Sequence, residues 1–190
     1  MHTHSSPIHY HVNVSSIAGH VFDVSLRIEN PDQNGQILTL PAWIPGSYMI
    51  RDFAKNIIKI SAKDDQGKDI NIQKLDKQTW QVQAVSTTIT IYYQVYAFDL
   101  SVRGAYINDE MAFLNGTNMF LAVVGQTNQP CGLTLQKPFQ PELSHWKVAT
   151  TMPTDMQVTH AFGEYWASHY EELIDHPVLM GEFDILPFSA

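Results

Sequence analysis

His9 and His11 stand one residue apart, the spacing that puts two imidazoles on the same face of a strand, where they could hold a metal such as zinc. No third ligand follows at a defined spacing, and the pair fits equally well as the polar side of an alternating strand. Between His160 and His176 lie Glu164, His169, Glu171 and Glu172. They lack the H-E-x-x-H order that sets two histidines one helical turn apart on a metal. His169 and Glu172 fall one turn apart on an expected helix, a spacing that ordinary surface neighbours share. Cys131 is the single cysteine. It sits beside Gly132 with no activating base nearby in sequence, and so reads as a small structural residue. The chain has no G-x-S-x-G elbow, no G-x-G-x-x-G and no G-x-x-x-x-G-K, which removes the usual serine-hydrolase and nucleotide sites.

Residues 43–53, Trp-Ile-Pro-Gly-Ser-Tyr-Met-Ile-Arg-Asp-Phe, are of another kind. They follow no period, and Pro45-Gly46 is a tight-turn dipeptide that would hold Trp43, Tyr48 and Arg51 on a rigid loop. A rigid loop bearing aromatics and a cation is a good recognition surface. The opposing reading is a packed loop in which Arg51 or Asp52 ties down backbone groups.

The elements that must carry these residues are strands. Ile8, Tyr10, Val12 and Val14 alternate with His9, His11 and Asn13, and after a turn at Gly19 the pattern resumes with Phe22, Val24, Leu26 and Ile28. A third short run covers residues 37–40. Residues 56–62 and then Ile70-Asn71-Ile72 read as a hairpin closed by Asp64-Asp65-Gln66-Gly67, with Gly67 supplying the positive φ. Trp80, Val82 and Ala84 alternate with glutamines, and Ile89, Ile91, Tyr93 and Val95 form the clearest strand. Residues 119–124, 132–135 and 146–150 read as three more strands, and the β pattern runs to about residue 162. A capping box, Ser168 with Glu171, opens one short helix that Pro177 stops. Residues 182–188 are apolar and strand-like, which suggests a chain cut within a larger protein. These signals predict a mainly β chain: an antiparallel β-sandwich or saddle-like sheet with one short helix near the C-terminus. Residues 1–162 form the β domain, and residues 163–190 form a helix and connector toward a catalytic domain outside the chain.

Composition bounds the partners. The 190 residues are enough for one domain with a real core, and 44% hydrophobic against 16% charged residues is ordinary for a folded chain. A net charge of -8 with eleven Lys and Arg repels phosphate backbones and anionic lipid, so neither nucleic acid nor a membrane is an expected partner. No signal peptide precedes residue 14, and no stretch approaches the length of a membrane helix. With a lone thiol, the expected setting is the reducing cytoplasm.

The loop at 43–53 resembles a Trp-x-Pro-Gly-Ser-Tyr-x-x-Arg-Asp-Phe stretch of the glycyl aminopeptidase family, the PDZ-containing zinc metallopeptidases related to thermolysin. Residues 113–117 with Phe120-Leu121, and residues 170–183, are similar to the family in the same order. The resemblance implies that this is the N-terminal β domain of such an enzyme. The catalytic H-E-x-x-H, the zinc and the PDZ domain would then lie outside these residues. It implies an enzyme that removes N-terminal Gly or Ala with a zinc-activated water and a Glu base. The chain itself would hold no catalytic residue and no metal. Its partners would be the catalytic domain of the same polypeptide and the peptide substrate. The substrate-facing candidates are Tyr48, Arg51, Asp52, Tyr106 and Asn115, with Asp52 or Asp109 as an acid for the substrate ammonium. The alternative is a free-standing module that binds peptide or carbohydrate through Trp43, Tyr48, Trp80 and Tyr106.

Overall fold

The computed structural model describes residues 6–44 and 47–186; the Pro45-Gly46 turn and residues 187–190 lie outside them. In chain order the strands are β1 (Ile8–Ser16), β2 (Val21–Ile28), β3 (Ile37–Thr39), β4 (Ile57–Asp64), β5 (Asp69–Ile70), β6 (Ile72–Lys74), β7 (Thr79–Val82) and β8 (Ile89–Tyr96). They continue with β9 (Ala105–Ile107), β10 (Met111–Leu114), β11 (Ala122–Val123), β12 (Cys131–Leu135), β13 (Lys147–Thr150), β14 (Gly163–Ala167) and β15 (Val178–Gly181). One α-helix, α1 (Tyr170–Asp175), precedes β15, and short 3-10 turns cover Phe53–Asn56, Gly116–Asn118 and Pro141–Leu143. The chain is mainly β, as its alternation requires.

The strands form a seven-stranded sheet ordered β14-β12-β1-β2-β8-β4-β5 and two four-stranded sheets, β13-β15-β10-β9 and β11-β3-β7-β6. Tyr10 stands opposite Leu26 and Leu26 opposite Ile91; Val12 stands opposite Val24 and Val24 opposite Tyr93. All are buried, so the period-2 residues of three strands line one face. Inner residues of all three sheets belong to one core cluster, and each fully buried large aliphatic contributes about 1.5–3 kcal/mol relative to exposure.

Several local expectations need correction. The pairing is antiparallel throughout except between β1 and β12, which run parallel; parallel partners far apart in sequence leave no turn signal. The β1–β2 turn does form at Gly19, with a positive φ on His20 (54°). The return of the predicted hairpin divides at Asn71: β5 pairs with β4, while β6 leaves for β7 in another sheet. Gly67 does take the positive φ of that hairpin, 81°. Of residues 119–124 only Ala122–Val123 is strand. Residues 182–186 are irregular.

Four strands, β9, β10, β14 and β15, were not read from the sequence. Two of them lie beyond residue 162: β14 pairs with β12, and β15 lies between β13 and β10. The stretch read as helix and connector therefore also supplies strands to two sheets. The helix is where Ser168 and Pro177 place it, but Glu172 rather than Glu171 accepts from the Ser168 N–H and hydroxyl. The Ser168 hydroxyl and backbone N–H hold the Glu172 carboxyl below its ordinary range.

Candidate functional site

The loop of residues 43–53 hangs between β3 and β4. Its base is closed by the Arg51 N–H donating to Ala42 O (2.6 Å), and its interior by the Trp43 indole N–H donating to Ser47 O (2.8 Å). Phe53 and Ala54, both buried, anchor the exit. The base is thus fixed while the tip, Tyr48, Met49 and Ile50, is exposed. The backbone of Arg51, not its side chain, ties the loop down. Arg51 Nε is buried without a hydrogen-bond partner among the described residues. Asp52 makes a solvent-exposed pair with Lys77, 3.6 Å apart.

The other two candidates lie on the β9–β10 hairpin. Tyr106 stands opposite Phe113 and stacks on Phe98 at 5.5 Å, and Phe98 in turn lies 4.0 Å from the ring of His20. Asn115 follows β10 and caps the 3-10 turn Gly116–Asn118. Its Oδ1 accepts from the Thr117 N–H and hydroxyl, and its Nδ2 donates to Val102 O. This 3-10 turn packs against Phe53–Asn56, so the base of the loop and the end of the hairpin meet. The structure thereby gathers Arg51, Asp52 and Asn115 into one region, with Tyr48 on the outer tip and Tyr106 further along the hairpin. Asp109 is separate from Asp52 in its setting: it lines a depression of about 680 Å³ with His20 and Glu142.

Sequence reasoning missed the segment after β8. Phe98, Leu100 and Val102 fall on the even-numbered phase that β8 turns to solvent with Tyr92 and Tyr96, and all three are exposed. The signal was a run of apolar residues in the outward phase, opposite to Ile89, Ile91, Tyr93 and Val95. Asn118 was missed as well; it is buried, and its Nδ2 donates to Arg103 O at 2.7 Å, holding this same segment.

The remaining candidates do not assemble. The His9 ring bonds the Thr134 hydroxyl at 2.7 Å, with Glu164 at 3.6 Å; burial lowers its pKa, partly opposed by Glu164. The His160 ring meets Val148 O, the His169 ring meets Ser168, and the His176 ring meets Thr151. Among the described residues no three His, Cys, Asp or Glu side chains gather as a metal site would need. Cys131 is buried, and burial pushes its thiol up to about 12, which suits the structural reading. Trp80 is 2% exposed and cannot serve a binding surface, so the aromatic set of the module reading loses one of its four members. No described helix is long and apolar enough to cross a membrane.

Comparison with known proteins gives a family match to the peptidase M61 N-terminal domain over residues 9–182. A solved aminopeptidase N family protein from Idiomarina loihiensis is 44% identical and superposes with a TM-score of 0.91, covering 96% of this chain and 30% of that one. A mutant M1 zinc metallopeptidase from Deinococcus radiodurans, bound to a Tyr-Ser-Ala substrate, shares the fold at 9% identity and a TM-score of 0.50, covering 92% of this chain and 41% of the other. Comparison with curated proteins gives no match. The chain thus spans less than half the length of the solved proteins it resembles.

Proposed function

Because the chain belongs to the peptidase M61 N-terminal domain family, we propose that it is the non-catalytic β domain of a zinc metalloaminopeptidase, scaffolding the catalytic domain and helping to form its substrate cleft. One observation carries this reading: 44% identity over 96% of the chain to an aminopeptidase N family protein of which it covers 30%. One domain of a larger peptidase would match in that way. The exposed apolar side chains of residues 48–50 and 98–102 agree with it, since large apolar groups left in solvent mark surfaces that meet a partner.

On this reading the enzyme is glycyl aminopeptidase-like, cytoplasmic and PDZ-containing, and removes N-terminal Gly or Ala. Zinc has no donor set among the described residues; its ligands and the Glu base belong to the catalytic domain, where the metal activates water. The contribution of this chain is positional. Tyr48, at the loop tip, walls one end of the cleft, and the side chains of Arg51 and Asp52, at the loop base, face the substrate. Tyr106 and Asn115 fix the neighbouring hairpin.

The test is kinetic. In the whole enzyme, Arg51→Ala should lower kcat/KM on Gly- and Ala-p-nitroanilide about tenfold, a loss of about 1.4 kcal/mol, with the thermal transition unchanged. Unaltered kinetics would remove the loop from the cleft, and hydrolysis by residues 1–190 alone would overturn the non-catalytic assignment.

A further inference from the structure

The outward face of the seven-stranded sheet holds a depression of about 360 Å³, within the size range of small-ligand sites. Its floor is built from two neighbouring cross-strand rows. In one, Asn13 stands opposite Asp23, Asp23 opposite Gln94, and Gln94 opposite Lys59. In the next, Ser25 stands opposite Tyr92. Each is the polar alternate of a strand whose other residues enter the core, and a solvated strand face alone would account for their polarity.

Solvation does not account for two further features. The first is Asn13, whose Oδ1 is buried yet has no hydrogen-bond partner among the described residues; an unsatisfied buried acceptor costs about 1–3 kcal/mol. The second is the order around it. Asp23 is held by the Gln94 side-chain amide at 2.8 Å, and Tyr92, 45% exposed, offers an aromatic ring to the same depression. The floor therefore joins fixed acceptors, hydroxyl and amide donors and one aromatic ring.

The chemistry of the occupant follows. Asp23 and Lys59 balance in charge, so the floor favours neither an anion nor a cation. The ladder hydrogen bonds of β1, β2, β8 and β4 are made within the sheet, which leaves no edge for an extended peptide to join by strand addition. A ligand dense in hydroxyls, with one apolar face, meets these groups: its hydroxyls donate to Asp23 and accept from the Asn13 amide nitrogen, Ser25 and Lys59, and its C–H face lies on Tyr92. We propose that this depression binds a neutral saccharide of one to three units. The site shares no residue with the loop region discussed above and does not depend on the peptidase reading.

Calorimetric titration of the protein with maltotriose, cellotriose and triacetylchitotriose tests the proposal. At least one should bind with Kd of about 1 mM or tighter, and Asn13→Ala and Tyr92→Ala should each weaken it at least about tenfold. Asn13→Ala removes an orphaned acceptor, so its thermal transition should hold or rise while binding is lost; a purely structural asparagine would show the opposite. Tyr92→Phe, which keeps the ring, should retain binding. Failure of all three saccharides to bind, binding indifferent to both alanine variants, or displacement of the saccharide by trialanine would overturn it.

Discussion

Asn115 directs both ends of its carboxamide into its own chain, one onto the Thr117 N–H and hydroxyl and the other onto Val102 O. Its first role is therefore to hold the Gly116–Asn118 turn and the exposed segment before β9. Asn115→Ala should cost about 1 kcal/mol, the usual loss of a side-chain cap, read as a lower midpoint in urea unfolding. Gly116 is constrained more tightly, because a Cβ there would lie 2.6 Å from Ile174 Cα. Backbone cannot swing aside as a side chain can, so Gly116→Ala should destabilise by about 1–3 kcal/mol. Asp52 is the contrast: its pair with Lys77 is solvent-exposed on both sides, and Asp52→Ala should leave stability within about 0.5 kcal/mol. An effect of that variant on peptide hydrolysis would then be functional in origin. The types of these residues were legible in the sequence, as turn formers and a loop acid, but their partners were not. Val102, Ile174 and Lys77 are brought in by other elements.

Three buried tyrosines explain the largest misreading of an element. Tyr93 donates to Met119 O, Tyr170 to Phe120 O and Tyr10 to Leu121 O, all at 2.7–2.8 Å. Residues 119–121 are apolar enough for a strand, but these three carbonyls are taken by side chains from β8, α1 and β1 instead of by a ladder. Period reports burial, and it cannot tell which partner will satisfy the backbone. Tyr170→Phe would leave Phe120 O buried and unpaired, so a loss of about 1–3 kcal/mol is expected. Burial raises the pKa of all three phenols and of Cys131. The unfolded chain releases these protons at lower pH than the folded one, beginning near the ordinary thiol value of 9.0. Folded stability should therefore be intact below about pH 9 and fall as pH rises toward 12. Urea midpoints compared between pH 8 and pH 10.5 check the sign, and equal midpoints would refute it.

At the scale of the molecule, the parallel join of β1 to β12 ties the start of the chain to residues 131–135, and β14 and β15 bring the later residues back into two sheets. The exposed apolar side chains of residues 48–50 and 98–102 remain outside that core. Replacing Met49, Ile50, Leu100 and Val102 together by Ser should leave the thermal transition of the 190-residue chain nearly unchanged, because these side chains bury little here. In the whole peptidase the same change should lower activity; a large loss of stability in the 190-residue chain alone would show that these groups support its own fold. The sequence by itself determined the class of the fold, the inner face of β1, β2 and β8, the position of α1 and the likeness to a metallopeptidase N-terminal domain, because two-residue alternation, caps and a distinctive loop are local or linear signals. Only the tertiary structure decided the parallel pairing, the division of β5 from β6, the tyrosine-held segment and the polar depression around Asn13. Each of these depends on groups far apart in sequence meeting across the core or the sheet, and no short-range pattern records which distant partner a buried polar group will find.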